Sequence, residues 1–158
     1  MAILVVIMKN VNWKLIVVLV SLNLLCEQVA SADTVYSREK LVEMEWTQEE
    51  QDKNIAIKHL KRTDTISAHL VRVKGQEPPH VHDKHDLIVT VISGQSVLHL
   101  ADKTVSLYPG DVVLISKGEF HWVENVGADA SLAHVVFTPP FDGKDRRIVE
   151  LKPESSSP

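Results

Sequence analysis

The octapeptide HVHDKHDL, residues 80–87, holds three of the chain's eight histidines together with two aspartates. Imidazole nitrogens and carboxylate oxygens are ligands of divalent transition metals, so metal binding is the first chemistry this composition offers. His80 and His82 stand at i and i+2, a spacing that sends both side chains to one face of an extended segment. Pro78 and Pro79 favour extended backbone just before them. His85 is out of phase with the pair unless a bulge intervenes. A further donor lies downstream, where GDVVLISKGEFHWVEN (110–125) delivers His121. Cys26 is the only cysteine and falls in the N-terminal segment, so a chain processed after it has no thiolate ligand, thiol nucleophile or disulfide.

The elements that must carry these side chains read as strands. Apolar residues alternate, or run continuously and rich in Val, Ile and Thr, over 55–61, 66–74, 87–93, 96–101, 104–108, 111–116, 120–125 and 131–138. Between them stand turn signals such as KGQEPP, PGD, SKGE and TPPFDGKD. Many short strands at near-regular spacing, with little helical periodicity, predict an all-β sandwich or barrel.

Together the two histidine-bearing stretches resemble the cupin superfamily, whose first motif carries His-x-His, a glutamate four or five positions on and a closing glycine. Its second motif runs Gly, five residues, Pro-x-Gly, two residues, His, three residues, Asn. Here Gly110, Gly118, His121 and Asn125 match the second motif at full spacing, with Ser116 at the usual proline, and His80, His82 and Gly94 match the first. The resemblance implies a single jelly-roll (double-stranded β-helix) barrel and a mononuclear metal centre.

One departure bears on function. Counting back from Gly94, the family's glutamate ligand falls on Leu87, which binds no metal. If Leu87 points inward, so do Val89 and Val91, leaving Asp86 and Thr90 outside; the polar Thr90 favours that phase. The expected site is therefore His80, His82 and His121, with His85 or Asp86 as a fourth ligand or a partner that fixes an imidazole tautomer. Such nitrogen-rich ligation suits Fe, Zn, Ni, Cu or Mn without selecting among them, and three protein ligands leave positions open, as in catalytic centres. Leu87, Val89, Val91 and Leu98 are expected to line a greasy cavity, with no acid, Lys or Arg inside. Candidate proton-transfer or substrate-binding groups are then His69, His85 and Asp86.

Residues 1–32 read as a signal peptide: lysines at 9 and 14, the apolar run LIVVLVSLNLLC (15–26) and small residues ASA before Asp33. Translation from Met8 gives the more ordinary charged start. The apolar run is shorter than the roughly 20 residues of a membrane span, and Leu24 and Leu25 argue against lipidation at Cys26. Residues 33–54 form a charged N-terminal arm, read as an edge strand and a polar turn; 55–150 form the barrel; the Ser- and Pro-rich tail 151–158 is expected to be disordered. The formal charge of −4 argues against a nucleic-acid partner. His99 and His134, in strands apolar on both faces, fit a sheet covered by a second subunit, hence a homodimer. The function expected is an extracytoplasmic (periplasmic or secreted) metal-dependent enzyme acting on a small molecule; dioxygenase and isomerase come from the resemblance. The other reading is a non-catalytic ligand-binding or sensing module.

Overall fold

The structure, a computed structural model, describes residues 34–150; the signal-peptide reading of 1–32, the lipidation reading of Cys26 and the disordered-tail reading of 151–158 lie outside these residues. Ten strands follow in order: β1 (Ile55–Arg62), β2 (Ser67–Val73), β3 (His80–Val81), β4 (Asp86–Ser93), β5 (Ser96–Leu100), β6 (Thr104–Leu107), β7 (Val112–Ile115), β8 (His121–Asn125), β9 (Ser131–Thr138) and β10 (Arg147–Ile148). They form two antiparallel five-stranded sheets, β1-β2-β9-β4-β7 and β10-β3-β8-β5-β6. This is the jelly roll. All eight segments with strand patterning are strands. The two-residue β3 and β10 are too short to leave a periodic signal.

Alternation sorts the faces. Leu87, Val91, Leu98, Leu107, Ile115, Val135 and Phe137 are buried together in the interior, each such side chain contributing about 1.5–3 kcal/mol. Gly94 closes β4 at φ 81°, and a Cβ there would stand 2.7 Å from Ser131 Cα, so only glycine lets the β4–β5 turn pass this close to β9.

The N-terminal arm differs from expectation. In place of an edge strand and turn, residues 38–42 form helix α1 (Arg38–Val42) and residues 48–52 helix α2 (Gln48–Asp52). Ser37 caps the first by accepting from Lys40 N–H. Thr47 and Glu50 form a reciprocal capping box at the second, which outweighs any extended preference of this polar stretch. Leu41, joined by Met44 and Trp46, packs on Leu70, Ile92 and Leu132. These strand positions thus meet apolar neighbours on the face away from the interior core.

Candidate metal centre

β3 pairs with β8 so that His80 and His121 are direct cross-strand partners. His82, two residues on, presents to the same side, as i, i+2 spacing requires. The ring centroids lie 4.4 Å (His80 to His121), 5.0 Å (His80 to His82) and 5.6 Å (His82 to His121) apart. One ligand nitrogen of each lies within 4.8 Å of the other two, and all three residues are buried.

Each ring is held by its other nitrogen. Nδ1 of His80 donates to the Pro78 carbonyl at 2.8 Å, Nδ1 of His82 to the Asp145 carbonyl at 2.9 Å, and Nδ1 of His121 to the Glu119 carbonyl at 2.9 Å. A carbonyl oxygen only accepts, so the ring protons sit on Nδ1 and the Nε2 lone pairs are left free. Burial lowers the basicity of all three: His80 falls to about 3, with Arg146 and His121 adding to the effect, and His82 to about 4, with His121 adding; His121 is lowered by burial and by Arg146. The cluster is neutral at pH 7. Three convergent unprotonated imidazole nitrogens are a donor set that fits a divalent transition metal.

The turn preceding β8 is tied to the same place, because Gly118 (φ 80°) donates its N–H to the carbonyl of His82 at 2.7 Å. Ser116, at the usual proline, ends the same turn by accepting from Glu119 N–H at 3.0 Å through its carbonyl.

The remaining sequence candidates divide. Leu87 is buried and Asp86 exposed, as the parity of Thr90 indicated. Asp86 accepts from the Lys117 N–H at 2.8 Å, so the structure does not bring it to the cluster. His85 is buried, but its Nδ1 is engaged by a close hydrogen bond to the carboxylate of Asp145. His82, His85 and Asp145 thereby form a second donor group beside the first. His69 is buried on the cavity wall.

A cavity of about 520 Å³ occupies the interior, lined by the three histidines and by Leu87, Val89, Val91 and Leu98. The expectation of an interior without acids or cations is wrong: Arg62, Glu77, Asp142 and Arg146 also line it. Burial raises the Glu77 carboxyl, opposed by Arg146. The Arg146 Nε is buried without a hydrogen-bond partner among the described residues. Asp145 and Arg146 were missed because TPPFDGKD reads as a turn; in fact this stretch returns across the barrel and β10 pairs with β3. The charge-dense DGKDRR after the last long strand was the available signal.

Comparison with known proteins agrees. The model of the family described as "Cupin domain" matches residues 69–137. A protein of Aquifex aeolicus (strain VF5), named only "Uncharacterized protein", is 39% identical over 97 residues, covering 61% of this chain and 79% of its own. Among solved structures, KdgF from Halomonas sp. is 28% identical with a TM-score of 0.54, covering 57% of this chain and 83% of its own. The polyketide cyclase RemF from Streptomyces resistomycificus is 22% identical with a TM-score of 0.58, covering 75% of this chain and 87% of its own; at that identity it shows the fold alone.

Proposed function

The chain belongs to the cupin superfamily as a small single-domain cupin of the cupin-2 type, and from that premise we propose that it is an exported mononuclear metalloenzyme acting on a small molecule, dioxygenase- or isomerase-like in its chemistry. His80, His82 and His121 hold one divalent transition metal in this reading. The observation that carries it is the set of three Nδ1–H donors fixed on three backbone carbonyls, which leaves three Nε2 atoms facing one point.

His80, His82 and His121 would hold such a metal, which would supply Lewis-acid polarisation of a substrate oxygen. The chain's own residues supply the rest. The apolar side chains Leu87, Val89, Val91 and Leu98 line the same cavity and favour a substrate that is largely apolar. Arg146 lies near enough to depress all three imidazoles, and its unpartnered Nε supports a substrate with an anionic or lone-pair oxygen at that end. Fold alone carries no activity over from RemF.

A non-catalytic ligand-binding module is the second reading. It is favoured by one observation: neither Asp86 nor His85 lines the cavity, so two of the three expected proton carriers have no access to a bound molecule.

Metal analysis of the protein purified from its native compartment tests the centre. Stoichiometric metal in the wild type, lost in His82→Ala and in His121→Ala, is expected. A wild type without metal, or variants that retain it, would sink the proposal. Export is tested separately by the N-terminus of that purified protein, expected at Asp33. The proposed assembly is a homodimer.

A further inference from the structure

Away from the three-histidine cluster, the cavity wall carries His69, 2% exposed. Its Nε2 lies 2.8 Å from the hydroxyl oxygen of Ser67. Ser67 is itself 1% exposed and does not line the cavity. The serine oxygen already accepts the Phe141 N–H at 2.9 Å. Its own proton has one acceptor among the described residues, the His69 Nε2. That bond makes Nε2 the unprotonated nitrogen, so the ring proton sits on Nδ1. Nδ1 is buried and has no hydrogen-bond partner among the described residues. The arrangement is braced from outside, since the Phe141 carbonyl accepts from the Arg62 guanidinium at 2.7 Å.

A buried N–H donor with nothing to donate to is rare in a folded protein and calls for an occupant. Around it lie the His59 ring, its centroid 4.8 Å from that of His69, and the Phe137 ring, whose centroid is 5.4 Å from that of His69 and 5.4 Å from that of His82. The two polar points are thus separated by one aromatic ring. Burial, with His59 and Arg62 nearby, lowers the basicity of His69 to about 4, so the ring is a neutral donor and no anion is demanded of its partner.

We infer that His69 is a second polar anchor of the cavity, donating from Nδ1 to a neutral acceptor oxygen, of carbonyl type, on a largely apolar small molecule whose other end meets the three-histidine cluster. The inference rests on the reading that the cavity binds a small molecule and deepens it by naming the ligand class; it does not depend on which metal is bound.

The test uses the full protein as purified and two isosteric probes, acetophenone and α-methylstyrene, which differ in carrying C=O or C=CH₂. Long-range ¹H–¹⁵N spectra of histidine-labelled protein should show His69 protonated at Nδ1 and bare at Nε2, with Nδ1 shifting when acetophenone is added. Acetophenone should bind about five- to ten-fold more tightly to wild type than to His69→Phe, whereas α-methylstyrene should bind both alike. Ser67→Ala, which removes the group that sets the tautomer, should lose part of the same discrimination and serves if His69→Phe fails to fold. A proton on Nε2, or equal binding of the two probes to wild type, overturns the anchor and leaves the metal proposal standing. If neither probe binds while metal content is normal, the small-molecule reading of the cavity falls and the anchor with it.

Discussion

His82 and Asp145 are 63 positions apart in the chain, yet Nδ1 of the one donates to the backbone carbonyl of the other at 2.9 Å. The Asp145 side chain secures that carbonyl: its carboxylate receives both the Nδ1–H of buried His85 and the Lys84 N–H, the latter at 2.8 Å. Burial alone would raise this carboxyl, but the hydrogen bonds of His85 and Lys84 outweigh it and hold it below its ordinary value. The segment after β9 is therefore locked to the segment that carries the ligands.

Asp145 is accordingly a positioning residue for His82. Asp145→Asn keeps the carbonyl but weakens its anchorage, and metal affinity should fall about ten- to hundred-fold while the fold survives. Chelator-competition titration checks it, with far-UV circular dichroism as control. Affinity equal to wild type would show that His82 needs no such brace.

Acid should destabilise the metal-free protein well above the carboxylate range. His69 and His82 are lowered to about 4 and His80 to about 3 in the fold, against an ordinary value near 6.5 in the unfolded chain. Between those limits the unfolded chain binds more protons, so the stabilising term is whole above about pH 6.5 and is lost as pH falls toward about 4 and, for His80, 3. The melting temperature in chelator should drop through that window, and His69→Gln, which removes one contributor without touching the cluster, should flatten the drop. An unchanged slope would contradict the burial of a neutral His69.

The positions of His80, His82, His121 and Leu87 were legible because each rests on local rules: i, i+2 geometry, motif spacing and strand parity. Thr90 is half-buried, and its polarity was the cue to the strand phase that leaves Asp86 outside and buries Leu87 and Val91. Asp145, Arg146 and Glu77 were not legible. Their roles arise from β10 lying against β3 and from Glu77 N–H reaching the Val123 carbonyl at 2.9 Å, pairings between distant segments that leave no periodic trace. The helices of the arm were missed for a different reason: five residues are too few for a 3.6-residue stripe, although Thr47 and Glu50 stood in capping-box register.

The proposed homodimer has a candidate face. Ile88 pairs with Leu114 and Thr90 with Val112, which sets Ile88, Leu114 and Val112 on one outer face of β4 and the edge strand β7. Their exposures are 45%, 76% and 55%. An apolar patch on an edge strand invites pairing with a second copy. Leu114→Lys should shift wild-type dimer to monomer in light scattering without lowering metal content. A wild type that is monomeric at micromolar concentration would dispose of the dimer itself.

Leu87→Glu would restore the carboxylate at the family's ligand position, and the surroundings set what that does. Leu87 is 5% exposed and packs in the interior core. Without metal, a carboxylate buried there loses its hydration with no ligand-bound cation beside it, so the variant should be destabilised by roughly 3 kcal/mol or more. With metal, the same oxygen gains a partner, and stabilisation by a ligand that binds only the folded state grows with its affinity. Metal should therefore raise the melting temperature of Leu87→Glu by more than it raises that of wild type. Asp86→Glu, one position away on the exposed face and tied to the Lys117 N–H, should show no such gain. Equal metal-induced shifts in wild type and Leu87→Glu would mean that the residue at 87 does not face the cluster, and that the three-histidine set lacks a glutamate for a reason other than the leucine.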